Sequence, residues 1–232
     1  MNQAYDWERK GANVYQMLMH RLGLDVLECV RTRMEVVRST IAEVVQEKGH
    51  ARVARILSLG SGPAREVEQF LSSASLKNRR VEFTLIDQEQ AALNYAVEKT
   101  YPYVLNSGGQ ARVQCLNMSF TDILRGQGAL GQLPPQDLIY SVGLLDYLTD
   151  KRASGLVRRL YETLAPGGLL IIGNMNETPG SCLWPGEFLL DWTLYYRSDA
   201  QMLAWAQGLG AAQAWTQTER TEHVRLLFVR KP

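Results

Sequence analysis

Residues 56–68, Ile-Leu-Ser-Leu-Gly-Ser-Gly-Pro-Ala-Arg-Glu-Val-Glu, constrain the fold more than any other stretch of this 232-residue chain. An apolar, strand-like run from Val53 to Leu59 breaks at Gly60-Ser61-Gly62, and an amphipathic, helix-like run follows from Pro63. Gly60 and Gly62 let the backbone turn sharply and let a ligand approach without meeting a Cβ. Pro63 fits the first position of a helix, where its missing N–H costs nothing. The open N–H groups of a helix start attract a polar or anionic ligand group. Dinucleotide-binding folds share this strand, turn and helix.

Val81-Glu82-Phe83-Thr84-Leu85-Ile86-Asp87 reads as the next strand and ends in an acid. Asp87 lies about 20 to 25 residues beyond the Gly turn, the spacing at which an acid accepts hydrogen bonds from ribose hydroxyls. The alternative is a solvated acid at a strand end. The spacing points to an adenosine-containing cofactor. Gln136 to Gly143 forms another strand and turn, Lys151 to Leu164 a helix, Ala165-Pro166-Gly167-Gly168 a turn, and Leu169 to Gly173 a further strand. In this arrangement the chain resembles the class I S-adenosylmethionine-dependent methyltransferases, in which a Pro-Gly-Gly turn separates the fourth helix from the fifth strand. The resemblance runs from about Ile56 to Val229.

It implies an α/β fold: a Rossmann-like, seven-stranded, mostly parallel sheet with helices on both faces. Ala211 to Gln217 and His223 to Arg230 would be its antiparallel C-terminal strand pair. Residues 12–48 read as a helical extension, with Val30, Met34, Val37, Ile41 and Val44 on one apolar stripe. Residues 1–50 are thus expected as an N-terminal helical lid or extension and 51–232 as the methyltransferase domain. Tyr5, Trp7 and Tyr15 are candidates for the lid, or ordinary packing residues. A helix from Gln90 to about Lys99 and a strand from Ala111 to Cys115 complete the pattern. Gly126 to Pro135 reads as a surface loop.

The cofactor implied is S-adenosylmethionine. Its contacts would come from Gly60, Ser61, Gly62, Pro63, Asp87 and Gln88. Asn117, Met118 and Ser119 would approach the adenine, and Ser141, Val142 and Gly143 would follow the fourth strand. Many class I enzymes carry an acid two residues before the first Gly, where this chain has Ser58. Arg65 and Glu66 follow the loop. Either they pair with the carboxylate and the amino group of the methionine end, or they are charges on a helix surface.

The segment after Gly173 is where such enzymes hold the acceptor, and it is dense in aromatic residues. Trp184, Phe188, Trp192 and Tyr195 would stack on one helical stripe, with Glu187 and Asp191 beside them. We expect Tyr15, Tyr147, Asn174, Trp184, Phe188, Trp192, Tyr195, Tyr196 and Arg197 around the acceptor, Arg197 serving as anchor for an acidic group. The competing reading has Arg197 paired with Asp191 and the aromatics in the core. The segments 61–66, 137–148, 164–174 and 190–197 together look like a bacterial subgroup, the 3-hydroxypalmitate methyl ester biosynthesis proteins. That likeness implies O-methylation of a carboxylate on a small or lipid-like metabolite. A carboxylate is ionised at neutral pH and needs no base, so no catalytic residue is assigned. Glu187, Asp191 and His20 are the fallback bases.

The remaining composition narrows the classes. Net charge is +1, which argues against a nucleic-acid partner. Three scattered cysteines and three scattered histidines show no metal-ligand spacing, so no metal is expected. The cysteines, Cys29, Cys115 and Cys182, read as reduced thiols in a cytoplasmic protein. The first eleven residues lack the apolar core of a signal peptide, and no run reaches membrane-spanning length. A homodimer stays open. The rivals are an N-, S- or C-methyltransferase of a small metabolite, a cofactor-binding protein without transfer activity, and an NAD-dependent oxidoreductase.

Overall fold

The structure is a computed structural model that describes residues 12–50, 52–127, 129–177 and 193–232, without the side chains of residues 19–27. Seven strands form one sheet: β1 (Val53–Leu59), β2 (Arg80–Asp87), β3 (Ala111–Asn117), β4 (Gln136–Ser141), β5 (Leu164–Met175), β6 (Gln213–Thr218) and β7 (Val224–Arg230). Their order is β3-β2-β1-β4-β5-β7-β6. β1 to β5 pair in parallel, whereas β7 runs antiparallel to both β5 and β6. The strand order reverses between β1 and β4, and open α/β sheets bind ligands beyond the strand ends at such a point.

Central parallel strands are covered on both faces, and β4 is buried along its whole length, whereas the edge strand β3 is only partly buried. Alternate residues feed two separate cores. Ile56, Leu138 and Ile171 face one core, with helix α1 (Val14–Lys48), α2 (Arg65–Ser73) and α3 (Gln90–Asn106) against them. Leu57, Ile139 and Ile172 face the other, packed by α5 (Asp150–Glu162) and α6 (Asp199–Ala204). α5 buries Ala153, Leu156, Val157, Leu160 and Tyr161 while Lys151, Arg152, Arg158 and Arg159 face outward. A short α4 (Phe120–Leu124) is closed by a Ser119–Asp122 capping box. The expected stripe on α1 is buried: Val30, Met34, Val37, Ile41 and Val44 all join the core. From Cys29 onward α1 is therefore part of the same packed unit as the sheet.

Several boundaries differ from expectation. α2 begins at Arg65, because Ala64 turns left-handed (φ 47°, ψ 46°) and carries the chain through one more bend after Pro63. α3 continues through Pro102 to Asn106, its Leu93, Ala96 and Thr100 buried against the sheet. β3 runs on to Asn117, which pairs with Asp87. The Ala165–Gly168 turn is a looped-out interruption within β5. Pairing with β4 jumps there from Gln136–Leu164 to Leu138–Leu169.

Candidate cofactor site

The turn after β1 is tied to the end of β2. The amides of Gly60 and Ser61 donate to the Ile86 carbonyl at 2.8 and 3.1 Å. The Gly62 amide donates to Asp87 Oδ2 at 2.7 Å, and the Glu89 amide to Oδ1 at 2.9 Å. Asp87 thus sets the shape of the Gly loop from its base. Each carboxylate oxygen keeps a second lone pair for another donor.

A cleft of about 310 Å³ opens over this turn, between Gly60, Gly62 and Pro63 on one side and Met118, Phe120, Leu144 and Tyr147 on the other. Asp87 and Gln88 line its end. A size of ~300 Å³ or more and a mainly apolar wall with few polar groups are usual for small-molecule sites.

Behind the loop lies a smaller chamber of about 50 Å³, which shares Gly60, Gly62, Pro63 and Gly143 with the cleft. It is lined by a buried basic side chain and a buried acidic one, Arg33 from α1 and Glu66 from α2. Tyr140, in the middle of β4, donates to Glu66 Oε1 at 2.7 Å. Burial pushes the Glu66 carboxyl up, while the Tyr140 hydrogen bond and the Arg33 charge hold it down. Gly143 makes room for Arg33, since a Cβ there would meet Nη2 at 2.9 Å. The Ser61 hydroxyl, in the chamber wall, and that of Ser141 at the end of β4 are buried and find no partner among the described residues. Buried hydroxyls without partners are costly, so at the chamber Ser61 has a bond to offer.

The structure brings together Gly60, Ser61, Gly62, Pro63, Glu66, Asp87, Gln88, Met118, Val142, Gly143 and Tyr147 around these two spaces. It does not bring Arg65 there. Arg65 pairs with Glu68 at 2.9 Å and reaches the Tyr95 hydroxyl at 3.4 Å, so it is a helix-surface charge. Asn117 turns its amide nitrogen onto the Asp87 and Gln88 carbonyls at 3.1 and 3.0 Å, bracing the loop. Ser119 caps α4. Arg33 and Tyr140 escaped the sequence reading. A trace of Arg33 was present, since it is a charge set among Val30, Met34 and Val37 on an otherwise apolar stripe.

No protein-family model matches the chain, and no curated protein matches it. Solved structures do. A possible exported protein from Bordetella parapertussis superposes with a TM-score of 0.73 at 21% identity, over 100% of this chain and 77% of that one. Magnesium protoporphyrin IX methyltransferase from Synechocystis PCC 6803, with bound SAH, gives 0.61 at 16% identity, over 100% of this chain and 92% of that one. An O-methyltransferase family protein from Burkholderia thailandensis gives 0.57 at 15% identity, over 95% and 61%. The chain has a methyltransferase fold. At these identities the likeness is one of architecture.

The acceptor side changes one assignment. Arg197 is 2% exposed and makes four hydrogen bonds. Its Nε donates to Asp150 at 2.8 Å, Nη1 to the Leu145 carbonyl and Asn174 Oδ1 at 3.1 and 2.6 Å, and Nη2 to the Leu148 carbonyl at 2.5 Å. Its guanidinium lies 4.8 Å from the Trp205 ring centroid. Arg197 is a structural cation and not an acceptor anchor, and its ionic partner is Asp150. Asn174 is likewise spent, donating to the Met175 and Tyr195 carbonyls. Tyr196 packs against the core, while Tyr147 and Tyr195 stay half exposed. Tyr15 is exposed near the start of α1. Trp184, Glu187, Phe188, Asp191 and Trp192, like Tyr5, Trp7 and the side chain of His20, lie outside the described residues.

Asp146 is buried where these segments meet. It accepts from the Met175 amide at 2.5 Å, and its carbonyl accepts from the Tyr195 amide at 2.8 Å. Burial pushes its carboxyl up to about 6, against the opposing charges of Arg33 and Arg197. The native state therefore holds this proton where the unfolded chain has lost it. Its contribution to stability falls as pH rises from about 4 to about 6. Urea unfolding across this range should show the decline in the wild type, on the order of 2–3 kcal/mol, and a flatter profile in Asp146→Asn. Identical profiles would remove Asp146 as the source.

Proposed function

We propose that the chain is an S-adenosylmethionine-dependent methyltransferase that O-methylates a carboxylate of a small or lipid-like metabolite. The observation that carries the cofactor is the chamber behind the Gly loop. A free amino-acid end is a zwitterion, and the chamber offers a basic and an acidic side chain: Arg33 for the carboxylate, and Glu66 for the ammonium, whose charge would favour the ionised carboxylate. Ser61 Oγ has a hydrogen bond to spare there. A pyrophosphate at the same loop would instead set two negative charges beside buried Glu66, which disfavours a dinucleotide. The neighbouring cleft suits an adenosine, with Asp87 at the ribose and Met118 and Phe120 on the ring face.

The bound cofactor supplies a methyl group on a sulfonium leaving group, ready for in-line displacement. The protein's part is alignment and exclusion of water, worth about 7–11 kcal/mol where reacting groups are held in register. Asp87 and the Gly60–Gly62 amides hold one end of the ligand, and Arg33 and Glu66 the other. Tyr147 lines the cleft and is half exposed, so it is a candidate to meet the acceptor. Leu144 and Tyr147 add apolar surface there, which suits a lipid-like acceptor, and a carboxylate nucleophile needs no deprotonation. The likeness of segments 61–66, 137–148, 164–174 and 190–197 to methyl ester biosynthesis proteins supports the same acceptor class.

Calorimetric titration with S-adenosylhomocysteine and with NAD tests the cofactor, and a screen of carboxylic acids with methyl-labelled cofactor tests the acceptor. We expect binding of the first ligand only, and base-labile label in the product. Preference for NAD would overturn the reading. Asp87→Ala is expected to weaken S-adenosylhomocysteine by about 1.5–3 kcal/mol, through loss of charged hydrogen bonds to ribose and of the Gly62 contact. Wild-type affinity in the folded variant would refute the assignment.

A further inference from the structure

Arg33 reaches the chamber from α1, so its aim depends on the rotation of that helix. Successive residues point about 100° apart. Burial of Val37 and Ile41 sets the face of α1 coarsely. A directional contact acts next to Arg33 itself. The Thr32 hydroxyl donates to the carboxylate of Glu219, at the turn between β6 and β7. Glu219 is 2% exposed. It also accepts from the Thr221 amide (2.7 Å), the Thr221 hydroxyl (2.6 Å), the His223 amide (2.9 Å) and the Val224 amide (3.1 Å). One helical turn before Thr32, Glu28 accepts from Arg220 of the same turn at 2.6 Å. The turn is anchored in its own right. Asn176, just beyond β5, donates through its side chain to the Glu222 carbonyl and through its amide to the His223 carbonyl, both at 2.8 Å.

We propose that Glu219 is a positioning residue for the cofactor site: from the β6–β7 turn it holds Thr32, and so fixes the helix rotation that aims Arg33 into the chamber. The proposal rests on the cofactor reading above. It makes the C-terminal hairpin, which lines neither the chamber nor the cleft, a determinant of affinity for the aminoacyl end alone.

The test compares two ligands by calorimetry. S-adenosylhomocysteine carries the amino and carboxylate groups. 5′-Methylthioadenosine keeps the adenosine and thioether and lacks both. Glu219→Gln and Thr32→Val should each raise the S-adenosylhomocysteine Kd about tenfold and leave that of methylthioadenosine within about twofold. In an Arg33→Gln background, Glu219→Gln should add less than about twofold, because residues acting through one contact are not additive. Equal loss for both ligands, or a full Glu219→Gln effect without Arg33, would overturn the proposal. If Glu219→Gln does not fold, Thr32→Val decides, since it removes only the helix side of the contact. A wild type that binds neither ligand would instead remove the cofactor reading, and this proposal with it.

Discussion

Arg197→Ala should lower the unfolding free energy by about 3–5 kcal/mol. The guanidinium sits on the carbonyls of Leu145 and Leu148 and on Asn174 Oδ1. Each acceptor left unmet in the interior costs about 1–3 kcal/mol, with water entering the cavity relieving part of it. The pair with Asp150 adds little, because that carboxylate is 68% exposed and solvated. Arg197→Lys should recover only a fraction. An ammonium cannot reproduce the fork that meets two carbonyls, an amide and a carboxylate at once. Residues 195–197 lie beside the end of β5, where the Arg197 amide donates to the Met175 carbonyl at 3.0 Å. Loosening them should also loosen the end of β5 at Met175 and the Glu177 amide that donates to the Arg197 carbonyl. Denaturant unfolding monitored by tryptophan fluorescence measures the effect. A variant of wild-type stability that had lost only acceptor affinity would return Arg197 to the substrate.

Gly62→Val should reduce S-adenosylhomocysteine affinity by more than about 100-fold, about 2.7 kcal/mol or more. Gly62 has φ +51°, a left-handed conformation that costs an L-residue about 1–2 kcal/mol. Apart from its own chain neighbours, no atom of the described residues lies within 4 Å of the position its Cβ would take, and the residue lines both the cleft and the chamber. The two methyl groups would occupy ligand space, so binding should suffer far more than folding. The backbone amide that meets Asp87 would also be disturbed. Gly62→Ala should fall between the two. Calorimetry on variants shown to be folded by circular dichroism separates strain from obstruction. Full affinity in folded Gly62→Val would mean that the ligand does not pass over this loop.

The contrast between these residues shows how far the sequence reaches. Gly60 to Gly62 and Asp87 are legible because their roles are local. A turn needs residues that tolerate its dihedrals, and an acid at a strand end stands a fixed distance from the turn before it. The same holds for the sheet. Strands rich in apolar residues mark β1, β2, β4 and β5, and the period of Ala153, Leu156, Val157 and Leu160 marks α5. The seven-stranded, mostly parallel sheet with an antiparallel C-terminal pair is the one the resemblance implied.

The chemistry of the chamber was not local. Arg33, Glu66 and Tyr140 come from three elements, and a separation of 74 residues between Glu66 and Tyr140 carries no spacing signal. Glu66 alone reads equally well as a surface charge; only the packing of α1 and α2 over β4 buries it. Arg65, one residue earlier, points to Glu68 because successive helical residues diverge by about 100°. Arg197 is the converse case. Among aromatics and acids in sequence it resembles a ligand anchor, yet the fold brings four acceptors to it from the residues around β4, β5 and α5. The sequence by itself determined the strand, turn and helix frame and the acid at its edge, because backbone dihedrals and burial periodicity act within a few residues. Which charges face a ligand and which brace the fold was decided only by tertiary structure, because that depends on what distant segments set opposite them.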